Sequence, residues 1–199
     1  MRDRGVRGAV VTWLARRGAF PGDVGWEIHC KAEDQAVVYA ALLQASGVEK
    51  GGPVGSRALM SLRVEKGYGS WGREYSPEYW PQEVGLDRLI KLDKEFLHKD
   101  SYLKIKDNLS REVLSLIQVQ DITTADATGG EPIFLPDGTP VGRVTSGTYG
   151  YSVGMSLALG YLKDTPAGSA VDVMILGKPH RGVVLAEPPF DPKGARLRA

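Results

Sequence analysis

The most restrictive feature of this sequence is the run of short apolar segments between Arg111 and Leu185, separated by turn residues every 8 to 15 positions. Val113-Leu114-Ser115-Leu116-Ile117-Gln118-Val119 reads as one strand. Pro136-Asp137-Gly138-Thr139 is a hairpin turn between Ile133–Leu135 and Val141–Val144, because Pro fixes φ and Gly supplies the positive φ the turn needs. Leu157–Leu162 and Val171–Leu176 follow, and Gly177-Lys178-Pro179 turns the chain into Arg181–Leu185. Strands so short and so evenly punctuated build a small barrel or sandwich. The first half is different, with helical periodicity mixed with strands. The shift near residue 95 predicts an α+β chain of two units, 1–95 and 96–199, the second all-β.

In the first half, Val10-Val11-Thr12-Trp13-Leu14 is a candidate strand. Gly22-Asp23-Val24-Gly25 is a turn that runs into a half-buried strand, Trp26 to Cys30, with Glu27 just after the turn. Read locally, Glu27 is a solvated carboxylate. Glu33 to Ser46 predicts an amphipathic helix closed by Gly47 as its C-terminal stop. A second helix is expected over 55–66, capped by Ser56, with Ala58, Leu59, Leu62 and Glu65 on one side. Arg57 lies in its first turn, where a cation opposes the helix dipole and calls for a polar partner or a surface ion pair. Gly67 to Pro81 is an aromatic loop whose Tyr and Trp side chains require a cleft, a domain interface or a subunit contact. Leu97 to Asn108 reads as a short helix or linker.

Composition excludes several classes. A formal net charge of +1 leaves no electrostatic footprint for nucleic acid or an anionic membrane. No apolar run reaches the ~18 residues of a membrane span. Cys30 stands alone, so neither an internal disulfide nor a cysteine metal cluster is available, and a reducing, cytoplasmic setting is expected. His29, His98 and His180 have no metal-ligand spacing. There is no nucleophile elbow and no P-loop. Gly67-x-Gly69-x-x-Gly72 has dinucleotide-binding letters, but it enters a Trp/Tyr/Pro loop instead of opening a helix.

Five ordered blocks resemble one family. They are Phe20 to Ile28, Gly55 to Gly67, Trp71-Gly72-Arg73-Glu74, Asp137 to Gly147 and Ser156 to Tyr161. Together they resemble the glycine-cleavage T-protein (aminomethyltransferase) family, with the flavour of the C-terminal folate domain of dimethylglycine and sarcosine dehydrogenases. The ending Pro189-Phe190-Asp191-Pro192 points to that branch. The resemblance implies a partial folate-binding aminomethyltransferase domain followed by a small C-terminal antiparallel β-barrel, with tetrahydrofolate as ligand and one-carbon transfer as function. It assigns Glu27 to the pterin, where a carboxylate can accept two N–H groups of the ring. It assigns Arg57 and Phe20 to the folate site as well. The family's orienting Asp precedes the Gly-x-Glu turn, and only about 25 residues stand there in this chain. The expectation is therefore a fragment or split subunit whose partner is a chain carrying the missing N-terminal half, or a homo-oligomer. The alternative is a non-catalytic interaction or scaffold protein that uses its aromatic loop.

Overall fold

A computed structural model describes residues 13–18, 20–47, 51–108, 111–120 and 125–198. Val10–Thr12 of the expected first strand lie outside these residues. In chain order the elements are β1 (Trp13–Gly18), β2 (Gly25–Cys30), α1 (Gln35–Ser46), α2 (Ser56–Glu65), α3 (Lys99–Ile105), β3 (Val113–Val119), β4 (Pro132–Phe134), β5 (Pro140–Gly150), β6 (Met155–Leu162), β7 (Ala170–Ile175), β8 (Lys178–Leu185) and the single turn α4 (Ala195–Arg198).

The alternating segments of the second half close into a six-stranded antiparallel barrel, in the order β3-β6-β5-β4-β7-β8. Closure leaves no sheet edge open to another strand. Inward residues such as Ile117, Ile133, Val144, Ala158, Val171 and Val173 form one buried cluster. Each fully buried Ile or Val of this kind contributes about 1.5–3 kcal/mol of transfer free energy. β6 departs from strict alternation because both its faces are covered. Ala158 and Leu162 point into the barrel, while Leu157 and Leu159 join Val64 of α2 in a second cluster outside it. The hairpin turn at Pro136–Thr139 forms as expected, with Gly138 at φ 88° and Leu135 N donating to Thr139 O. The next turn is tighter than the sequence reading: Leu176 and Gly177 take positive φ and β8 already begins at Lys178.

The first half is more open. β1 and β2 form a two-stranded hairpin, Trp13 opposite Cys30 and Gly18 opposite Gly25. Trp26, expected on the covered face with Ile28 and Cys30, is 62% exposed. α1 forms where its helix formers put it, yet none of its residues is buried, so the expected apolar face has no cover among the described residues. Gly47 is right-handed (φ −57°), so it does not act as a left-handed stop. Ser56 is the first residue of α2 and Gly55 is its N-cap, which removes the expected serine cap. The buried residues of α2 are Ser61, Arg63, Val64 and Glu65 instead of an aliphatic stripe. The reason is what α2 packs on: β5 and the aromatic loop present polar groups to it. That loop does bridge the two halves. Tyr79 stacks on Tyr161 of β6 with ring centroids 3.7 Å apart and planes 7° from parallel.

Close backbone approach sets the tightest constraint in the barrel. A Cβ at Gly142 would lie 1.9 Å from the Tyr161 carbonyl oxygen, on the neighbouring strand. Gly142→Ala is expected to cost about 3 kcal/mol or more, at the upper end of overpacking. Gly138→Ala, in open space at a positive-φ turn, should cost only about 1–2 kcal/mol. Urea unfolding followed by circular dichroism compares the two.

Candidate functional site

Three structural features surround any site this chain can offer. The first is a buried polar core joining α2, the aromatic loop and β5. Arg63 and Glu74 are both fully buried, with Arg63 Nη1 3.1 Å from Glu74 Oε2. Glu74 Oε2 also accepts Ser70 N at 2.8 Å. Its Oε1 accepts Ser146 Oγ at 2.6 Å and Thr145 Oγ1 at 2.7 Å. Arg63 donates further to Tyr68 O and to Ser146 Oγ. Tyr161 Oη donates to Glu74 O. Burial opposes the charged form of Glu74, but the donors from Ser146, Ser70 and Thr145 and the Arg63 charge outweigh it and hold the carboxyl below its ordinary range. Burial lowers Arg63 in turn, against the pull of Glu74.

The second feature is a C-terminal strap. Lys66, just after α2, pairs with Asp191 Oδ2 at 3.0 Å and donates to Asp191 O, both side chains being nearly buried. Gly22 packs on the Lys66 stem so closely that a Cβ there would meet Lys66 Cβ at 2.7 Å, and its φ of 88° suits only glycine. Arg196 lies 3.7 Å from Asp23 and over the Phe190 ring, and Arg17 donates to Leu197 O at 3.0 Å. The turn before β2 is thus clasped by the last residues of the chain. Between this strap, the turn after α2 and strands β3 and β8 lies a cleft of about 1020 Å³, lined by Lys66, Tyr75, Leu116, Leu185, Pro188 and Arg198 among others.

The third feature is the hairpin face that carries Glu27. Its side chain is 69% exposed, directly across from Arg16, with His29 Nε2 at 3.5 Å. Gly18 lies on its flank, where an added Cβ would make only ordinary van der Waals contact with Glu27 Oε1, at 3.7 Å. The carboxylate therefore keeps acceptor sites on β2, across from a cation, open to an incoming donor. Phe20 is 41% exposed at the turn, and Arg57 is exposed in the first turn of α2. Among the described residues no hydrogen bond or ion pair joins Glu27, Phe20 and Arg57 to one another, and none of them lines the 1020 Å³ cleft. Among the same residues no three His, Cys, Asp or Glu gather as a metal site, and no helix is long and apolar enough to cross a membrane.

Sequence reasoning missed Arg63, Glu74, Lys66 and Asp191. Arg63 and Glu74 fall inside the resemblance blocks, but a charge within an amphipathic helix reads as a solvated one. The buried arginine of α2 is Arg63, not Arg57.

Comparison with known proteins settles the ancestry. The GCVT N-terminal domain matches residues 1–94, and the glycine cleavage T-protein C-terminal barrel domain matches residues 114–191. The chain belongs to the glycine-cleavage T-protein family. Among T-protein relatives, the mitochondrial dimethylglycine dehydrogenase of Mus musculus is 35% identical over 92% of this chain and 21% of its own length. The aminomethyltransferase of Thermotoga neapolitana is 29% identical over 88% of this chain and 47% of its own. The crystal structure of glycine cleavage system aminomethyltransferase T from Bartonella henselae shares the fold, with a TM-score of 0.79 at 24% identity, over 90% of this chain and 50% of that one. The chain thus spans about a fifth of the dehydrogenase and about half of the aminomethyltransferases.

The buried pair gives two expectations. Arg63→Met strands the Glu74 charge and should cost about 3–5 kcal/mol, much of it recovered in the double variant with Glu74→Gln. Because the folded Glu74 carboxyl lies below its unfolded value, its contribution is complete above the unfolded pKa and is lost as pH falls through the acid range. Urea midpoints measured from neutral to acid pH should fall more steeply for the parent than for Glu74→Gln.

Proposed function

We propose that this chain is the Glu27-bearing part of a tetrahydrofolate-binding, aminomethyltransferase-type domain that serves one-carbon (methylene) transfer. The observation that carries the reading is the Glu27 carboxylate: in a T-protein-family chain it stands on a strand with acceptor sites open and Arg16 opposite. Its two acceptor oxygens fit the N–H edge of a pterin. Glu27 accepts a ring N–H and the exocyclic amine, and binding neutralises the carboxylate's local demand for donors. Tetrahydrofolate held by Glu27 would supply the nucleophilic ring nitrogen for one-carbon transfer. The role of this chain is to orient the ring: β2 carries the carboxylate, and the strap on Lys66 fixes the turn from which β2 departs.

Calorimetric titration of tetrahydrofolate tests this, into the chain alone and into the chain mixed with the unmatched half of an aminomethyltransferase. Glu27→Gln should weaken binding by about 1.5–3 kcal/mol, the worth of a charged hydrogen bond, or roughly tenfold to a hundredfold. Absence of heat in both arms sinks the proposal. A non-catalytic interaction role is the second reading, favoured by the uncovered apolar residues of α1. Folate binding that depends on Glu27 would count against it.

A further inference from the structure

The aromatic loop and the barrel enclose a hollow that the folate reading leaves unused. Its volume is about 380 Å³, and Arg73, Glu78, Tyr79, Arg143, Thr145 and Tyr161 are among the residues that line it. That is the size of a small-ligand site. Glu27, Phe20 and Arg57 do not border it. Its floor is fixed by the Tyr79–Tyr161 stack, and Arg143 donates to Tyr79 Oη at 2.9 Å. The Arg143 charge is already matched by Glu112 Oε2 at 3.2 Å.

Two charges at the rim are not matched. Arg73 and Glu78 are both exposed. Among the described residues the Arg73 guanidinium and the Glu78 carboxylate form no ion pair or hydrogen bond, either with each other or with another group. The loop backbone pins both positions. Glu78 N donates to Ser76 Oγ at 3.3 Å, and Glu78 O accepts Arg111 Nη2. Arg73 N donates to Ser70 O at 3.3 Å, next to Gly72 with its φ of 81°. The carboxylate beside Arg73 in sequence, Glu74, is buried and committed to Arg63. Arg73 therefore stands near a buried cation, and after burial its charge is the next influence that lowers Arg63. One free cation and one free anion thus face a single hollow without neutralising each other.

We propose that this hollow binds a small zwitterion, a molecule with a carboxylate at one end and an ammonium at the other. Arg73 takes the carboxylate in its planar fork, and Glu78 takes the ammonium. A simple anion is attracted by Arg73 and repelled by Glu78, and a simple cation meets the reverse. Only a ligand with both charges is favoured at both ends. Both contacts lie at a solvated rim, so binding is modest and weakens with salt. The site stands apart from Glu27 and does not depend on folate binding.

The test follows the backbone amide signals of the isotope-labelled full chain by NMR. The probes are glycine, β-alanine and γ-aminobutyrate, which differ in the distance between their charges, with acetate and methylammonium as single-charge controls. At least one zwitterion should shift the amides of residues 72–79 and 143–145 and bind about tenfold or more tightly than either control. Arg73→Gln and Glu78→Gln should each weaken that binding about tenfold. Glu78→Gln should also abolish the preference for the zwitterion over acetate. Neither variant alters the Arg63–Glu74 contacts, so the barrel's thermal transition should be unchanged. Zwitterion shifts that survive both variants overturn the proposal. An equal response to acetate and the zwitterions, or no response at the hollow to any of the probes, overturns it as well.

Discussion

The Arg63–Glu74 pair is the interaction on which the rest of the molecule depends. Two charges withdrawn from water cost several kcal/mol each, and only complete hydrogen bonding offsets this. Glu74 has that complement, with donors from the loop, from α2 and from β5. The placement of the loop against the barrel brings these donors together on one carboxylate, while Arg63 Nε is left buried without a hydrogen-bond partner among the described residues. Once Glu74 is seated, Tyr79 falls onto Tyr161, and Tyr79 Oη and Glu112 meet Arg143. The opposite end of α2 then delivers Lys66 to the strap and to Gly22. A chain of contacts thus runs from the barrel to the turn ahead of Glu27.

The two halves of the molecule have different physical status. The barrel satisfies its own backbone and buries its own side chains. The hairpin and α1 pair their own backbone but leave their side chains largely uncovered, although the hairpin carries the residue with the strongest claim to a ligand. Rigidity therefore reaches Glu27 from behind, through the turn, while its front is open. Such a division places chemistry on the less stable part and uses the closed barrel as an anchor.

The barrel was legible in the sequence because strand period and turn chemistry are local. Pro136-Asp137-Gly138 fixes a hairpin wherever it occurs, and alternating residues then assign faces. β5 outran its predicted end at Val144 because Gly147 to Gly150 carries no apolar alternation; its continuation is set by pairing with β6. Helix α1 was legible as a helix but not as an uncovered one, since periodicity identifies a face and says nothing of what lies on it. The Arg63–Glu74 core was illegible for a related reason. Its members come from three separate stretches, and each charge taken singly is indistinguishable from a surface charge. Glu27 was found through resemblance, because nothing within β2 separates a ligand-facing carboxylate from a solvated one.

The strap has a temporal meaning as well as a spatial one. Lys66 and Asp191 are 125 residues apart, and Arg17 reaches Leu197 over 180. Contacts of such separation form late, after the intervening segments have ordered. During synthesis the β1–β2 hairpin emerges before residues 191–198 and stays unclasped until they follow. Whatever binds beside Glu27 meets a finished turn only after residues 191–197 have docked on it.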